Sequence, residues 1–388
     1  MWTIFKLLNL LCVYVTAYIW FTALLPIGPL MLVINIAMII CLSCIPHQFR
    51  LDGRTGCIIL ALLCLVLWTI YNENASMGIL MTCMYTPVLY LIPLPRNYQD
   101  DLLKFVTKWI SIPLIPALLL YWATLFINLP GLGKFVHPNY EPYINYLFYI
   151  KTTVDTGFIV RFNAFLLEPG HLAMMCEFFL MANRFDFKKN PWMWVMLVSI
   201  VFSFSLAGYI ITFVGFTLLK VNNFARGLAI LVLLSGFIFV AQNYSGGDNA
   251  LNQLIIDRLK YDEEKGIQGN NRFFHNTDFE FQKAMKSGDY WIGVSKKANM
   301  ELIGGSGFKI YILKHGLIGI FFVLLFYISL IPPRPDWHFT LSFLFILMLC
   351  FVQNSYPGWY SWLLPYVLGL NLNAKGCIED NHKEYITS

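Results

Sequence analysis

The chain has 388 residues, of which 58% are hydrophobic and only 13% charged, with a net charge of +5 and a mean hydropathy of +0.61. Soluble domains carry about 25% charged residues, so this chain lacks the polar surface that a water-soluble body of its size needs. Disorder, collagen, coiled coil and secreted disulfide scaffolds are excluded with it, and a polytopic membrane protein remains.

Taken in chain order, apolar runs of spanning length fall at roughly 5–25, 28–45, 56–73, 76–94 and 109–128, then 171–185, 191–205, 206–220 and 227–241, and finally 309–331, 338–353 and 357–371. They predict an all-α polytopic integral membrane protein of about twelve transmembrane helices. Met1–Leu25 has the charge-then-apolar layout of a signal peptide, but no small-residue cleavage site follows, so a retained first helix is expected. Pro191–Lys220 is about 30 residues, roughly 45 Å of helix, long for one crossing and short for two. Ser203, Ser205 and Gly208 permit a break in its middle, and two short helices are expected there.

Charge in the short connections sets the orientation. With the N-terminus inside, the inner connections carry Arg50, Arg54, Arg96, Lys104, Lys108, Arg184, Lys188, Lys189, Lys220, Arg226 and Arg334. The short outer ones, around Pro26, Tyr71–Ser76, Ser205–Gly208 and Asn354–Gly358, carry no Lys or Arg. The chain therefore divides into membrane helices over 1–128, a first outer loop over 129–170, and central helices over 171–241. A large outer loop (242–308), C-terminal helices (309–371) and an inner tail (372–388) complete it. In the large loop, Leu251–Lys265 reads as an amphipathic helix and Thr277–Lys286 as a shorter one.

The nine cysteines lie in apolar runs, apart from Cys377 in the tail, and suggest no disulfide framework. Cys41 and Cys44 form a C-x-x-C inside an apolar helix, where packing is the expected role. Walker A, G-x-S-x-G, H-E-x-x-H and D-x-D signatures are absent, and the seven histidines are isolated. No metal site, no cofactor and no nucleic-acid surface are expected.

Three segments carry candidate chemistry. The first is Arg161–Gly170, RFNAFLLEPG, followed by His171 and a helix. A cation flanked by apolar residues at a membrane boundary needs an anionic partner, and the helix N-terminus near His171 suits a phosphate. A structural staple between Arg161 and Glu168 is the competing reading, and His171 also reads as a polar anchor. The second is Asn271-Arg272-Phe273-Phe274-His275, where a guanidinium for oxyanions sits among aromatic faces for sugar rings. A solvated or cation–π-packed loop arginine is the alternative there. The third is Gly304-Gly305-Ser306-Gly307-Phe308-Lys309, then Lys314-His315-Gly316. It reads either as an anion nest with a cation beside it or as a flexible lead-in with snorkelling lysines.

In these segments, and in the S-x-S-L-A-G-Y-I turn at 203–210 that contains Tyr209, the chain resembles the Wzy-type polysaccharide polymerases and, more distantly, the O-antigen ligases. The resemblance covers roughly the second half of the chain, and the first five spans match only in hydropathy. It implies a GT-C-like helical bundle with two periplasmic loops. The implied activity is a metal-independent glycosyltransferase in the bacterial inner membrane, with both termini cytoplasmic. Its donor and acceptor would be glycan units on undecaprenyl pyrophosphate, with membrane lipids and a chain-length regulator as partners. It implies roles for Arg161 and Arg272, the latter opening an Arg–fifteen residues–Gly spacing that ends at Gly288; Glu177 occupies the matching place after Arg161. Glu168 or His171 is the candidate proton acceptor, while Lys309, Ser306, Phe273, His275 and Tyr209 are candidates for substrate contact. Ligases carry a histidine where this chain has Gly304-Gly305-Ser306, which favours a polymerase. A lipid-linked glycan flippase and, through Glu177, an ion-coupled transporter stand as alternatives from another class.

Overall fold

The computed structural model describes residues 1–18, 25–45, 53–135, 142–152, 160–221, 261–262, 266–267, 275–294, 307–354 and 357–374. These residues are predominantly helical. The first helices are α1 (Trp2–Ala17), α2 (Ile27–Ser43), α3 (Gly53–Asn72), α4 (Ala75–Tyr85) and α5 (Arg96–Phe126). Next come α6 (Pro169–Ala182), α7 (Met193–Phe202), α8 (Leu206–Lys220) and α9 (His275–Ser287), followed by α10 (Gly307–Ser329), α11 (Trp337–Gln353) and α12 (Tyr360–Leu372). Three of them, α3, α5 and α10, are long and apolar enough to cross a membrane; six other apolar helical segments have 10–17 residues. The expected span at 227–241 lies outside the described residues.

Prolines shape these helices, and neighbouring side chains take up the carbonyls that they free. Pro87 cannot donate to Cys83 O; α4 tightens there into a 3-10 turn, Thr86–Tyr90, and Asn35 Nδ2 donates to that carbonyl instead at 2.9 Å. Pro113 inside α5 leaves Trp109 O, which accepts from the Tyr14 hydroxyl at 2.8 Å. The break expected in Pro191–Lys220 falls at Ser203-Phe204-Ser205, where Phe204 has φ +44°. Ser205 caps the new helix by accepting from Gly208 N at 3.2 Å.

At α5 the hydropathy reading began too late, because the helix runs back from residue 109 to Arg96 through a charged stretch. That stretch is held by side chains from elsewhere. Asp101 accepts from Trp2 Nε1 at 2.6 Å and from Lys6 Nζ at 3.0 Å, and Asp100 from Lys189 Nζ at 3.1 Å. The loops also depart from an all-helical reading. A small antiparallel sheet joins β1 (Gly133–Phe135), β2 (Tyr143–Asn145) and β3 (Ile150–Thr152) in that order. A ribbon pairs β4 (Tyr261–Asp262) with β5 (Gly266–Ile267), so the end of the helix expected at Leu251–Lys265 is a strand; most of that segment lies outside the described residues. The shorter expected helix, Thr277–Lys286, is α9.

The core sits around α6 and α12. Every residue from Gly170 to Ala182 is buried, as is every residue from Tyr360 to Leu370. A helix apolar on all sides belongs inside a bundle, and these two pack together with Phe178 stacked on Trp362 at 5.1 Å. At one end of the bundle three guanidinium groups close on the C-terminus of α12. Arg54 Nη2 donates to Asn371 Oδ1 at 3.0 Å, Arg96 Nη2 to Leu372 O, and Arg184 Nη1 to Asn373 Oδ1 at 3.0 Å. Cations there complement the negative end of the helix dipole. The loop sheet and the N-terminus of α6 lie at the opposite end.

Candidate functional site

At the loop-bearing end, residues 160–168 run across the turn between α7 and α8 and then enter α6. Phe162 N donates to Phe202 O at 3.1 Å, and Arg161 Nε donates to Ser203 O at 3.3 Å. The guanidinium is thus fixed, half-buried, over the turn. Tyr209 lies within electrostatic reach of Arg161, its hydroxyl donating to Val201 O at 2.5 Å. Tyr121, Tyr149 and Phe162 form a buried aromatic support below the segment, with Tyr121 and Phe162 ring centroids 5.3 Å apart.

Glu168 is the N-cap of α6, and its backbone carbonyl accepts from His171 N at 3.1 Å. Its side chain faces that same histidine, with Oε2 3.7 Å from His171 Nε2. Asn354, at the end of α11, turns its amide nitrogen to Met174 Sδ at 3.4 Å and its oxygen to His171 Nε2 at 3.3 Å. The amide oxygen of Asn354 is thus the nearer of the two acceptors facing Nε2. Trp359 closes the histidine's other side in an edge contact at 4.8 Å. His171 is 2% exposed, whereas the Glu168 side chain is 24% exposed. The carboxylate is thus the more exposed member of the pair, with the imidazole enclosed behind it. Arg161 is held by Ser203 O, and Glu168 faces His171.

Lys309 is committed elsewhere. It forms an ion pair with Asp278 of α9 and lies over the Phe281 ring at 5.6 Å, so its charge is already matched within the loop. Arg272, Phe273 and Ser306 lie outside the described residues, and His275 is described only as the first backbone position of α9.

A second histidine–carboxylate pair, unmarked in the sequence, lies inside α10, directly before its break at Gly316. His315 Nε2 is 3.2 Å from Glu73 Oε1 in the tight connection after α3. The His315 hydrogen bond holds the Glu73 carboxyl below its ordinary range, against the upward push of burial. The next residue, Gly316, has φ +69° and ψ −178° and breaks the helix. The break frees carbonyls that are taken at once: Trp68 Nε1 donates to His315 O at 2.8 Å and Val294 N to Leu313 O at 2.7 Å. Tyr311 links this pair to α11 through an edge contact with Phe351 at 5.1 Å, one turn before Asn354.

No family model, no curated protein and no solved structure matches this chain. Among the described residues, no group of three or more His, Cys, Asp and Glu side chains could hold a metal ion. Among the described residues this end offers a guanidinium held by a backbone carbonyl, a carboxylate beside a histidine, and a helix N-terminus. Glu177 stands apart in the middle of α6. Both its carboxyl oxygens are buried, beside Thr212 and against Gly215, where a Cβ would meet Oε1 at 2.3 Å.

Proposed function

We propose that this chain is a polysaccharide polymerase of the Wzy type, joining glycan repeat units carried on undecaprenyl pyrophosphate at the outer face of a bacterial inner membrane. The observation that carries the reading is the presence, on one short segment, of an arginine held by Ser203 O and a carboxylate beside a buried histidine. Both flank the N-terminus of a central helix.

In the reaction the acceptor hydroxyl attacks the anomeric carbon of the donor glycan. The bond from that carbon to the pyrophosphate oxygen breaks, a glycosidic bond forms, and undecaprenyl pyrophosphate leaves. Negative charge grows on the leaving group, and Arg161, with Arg272 from the large loop, stabilises it. Preorganised donors outside bulk water are worth about 10²–10³ in rate each. The acceptor's proton passes to Glu168, whose carboxylate lies beside His171, with Oε2 3.7 Å from Nε2.

Glu168→Gln removes the proton acceptor and keeps the shape. Loss of a general base typically costs about 10²–10⁴-fold, so Glu168→Gln membranes supplied with lipid-linked repeat units should form polymer at a correspondingly reduced rate. Unchanged chain growth on a gel would remove Glu168 from the mechanism. The ion-coupled transporter reading has Glu177 in its favour, but that side chain is enclosed between α6 and α8, away from the pinned arginine.

A further inference from the structure

We infer that the head-proximal prenyl units of the lipid carrier lie in a groove between α5 and α7, with the rest of the chain in the bilayer and the head below Arg161. This rests on the polymerase reading for the identity of the lipid. The groove has a volume of about 330 Å³ and is lined by Ile115, Leu119 and Trp122 of α5 and by Trp194 and Val198 of α7, with no charged side chain among its lining residues.

Its two walls are exposed stripes at helical spacing. On α5, Ile115, Leu119, Trp122 and Phe126 are exposed at successive steps of four, three and four residues; on α7, Trp194, Val198 and Val201 follow steps of four and three. Both stripes rise toward the same point. Trp122 packs edge-on against Phe202 at 4.9 Å, and the Phe202 and Ser203 carbonyls are those that hold Phe162 N and Arg161 Nε. Val201 O, at the top of the α7 stripe, accepts from Tyr209. An apolar channel that ends under a guanidinium complements one kind of molecule, a long hydrocarbon chain with an anionic head. The spacing from Ile115 to Trp122 gives a run of about 10 Å, open to the membrane at its side. Any phospholipid has tails, but the groove converges on the cation of the candidate catalytic segment, and this commits it to the carrier whose head reacts there.

The test is photocrosslinking of the full chain in membranes with an undecaprenyl pyrophosphate analogue bearing a photoreactive group in its prenyl chain. Labelled peptides should concentrate on 115–126 and 194–201 and be competed by undecaprenyl phosphate but not by phospholipid. Val198→Trp and Leu119→Trp, which fill the groove at lipid-facing positions, should each lower that labelling about tenfold or more. Leu60→Trp, on the exposed face of α3, should not. Labelling spread over α3 as much as over α5 and α7, or equal competition by phospholipid, would overturn the proposal. Polymer synthesis from lipid-linked repeats, measured in the same membranes, separates the two readings. Groove labelling without any polymer leaves the groove standing and removes the polymerase, whereas normal polymer from both tryptophan variants removes the groove alone.

Discussion

Arg161→Ala is expected to abolish polymer while the protein stays in the membrane. The side chain is pinned by Ser203 O and is half-buried, next to the buried Phe162. A charge held in place before the reaction pays no reorganisation as the pyrophosphate departs, and removing one such donor costs about 10²–10³-fold in rate. Because each added repeat needs a separate transfer, a loss of that size leaves single repeat units on the carrier and no ladder on a gel. Arg161→Lys separates charge from shape. Lysine keeps the cation but not the planar fork that holds a carbonyl and an oxyanion together, so short chains at a low rate are expected. The Ser203 tie is one hydrogen bond to a charged group, worth about 1.5–3 kcal/mol, and membrane yield measured by immunoblot checks that fold loss is not the cause. Normal chain lengths in Arg161→Ala would eliminate charge stabilisation by this residue.

Gly316→Ala carries the largest expected effect on folding. A φ of +69° with ψ near 180° is a region that only glycine enters readily, and strain of this kind costs about 1–3 kcal/mol. Space is short as well. A Cβ at this position would lie 2.2 Å from Trp291 O and 2.5 Å from Trp291 C, both backbone atoms that cannot swing away. Relief means parting the 3-10 turn Asp289–Trp291 from α10, or straightening α10 and undoing the bonds from Trp68 and Val294 that depend on the break. A loss beyond about 4 kcal/mol, the upper range for single substitutions, is expected. It should appear as a large drop in the detergent melting temperature and in membrane yield. Gly56→Ala, where no atom lies within 4 Å of the added carbon, is the matched control. Equal melting of Gly316→Ala and wild type would show that the break in α10 is not required.

The contrast between these two positions shows what could be read from the chain and what could not. Local signals were legible. Hydropathy located most helices, and Ser203 with Ser205 marked the α7–α8 break because a serine N-cap needs only its own next turn. Pro169-Gly170 marked the start of α6 for the same kind of reason, since proline suits the first helical turn. The start of α5 was not legible, because its charged first turns are held by Trp2, Lys6 and Lys189. The three-residue strands of the loop sheet are too short to leave a pattern. At the site, Arg161, Glu168 and His171 stood out by their spacing, yet their partners did not. Ser203 and Asn354 are an ordinary turn serine and loop asparagine until the fold brings them to the arginine and the histidine. Glu73 lies in the short connection Tyr71–Ser76, and its contact with His315 depends on α3 packing against α10. Lys309, a candidate for substrate contact in the sequence, pairs with Asp278 of α9, a partner that its own segment does not indicate.

The central claim is that Arg161 and Arg272 act together on a lipid-borne pyrophosphate at the outer surface. Its most direct test places single cysteines at 161 and 272 and treats spheroplasts with a membrane-impermeant maleimide, followed by a short bis-maleimide. Both positions should react from outside, be protected by added lipid-linked repeat units, and be bridged by the short reagent. Labelling from opposite sides of the membrane, or outside labelling of both with no bridge and no protection, would contradict it.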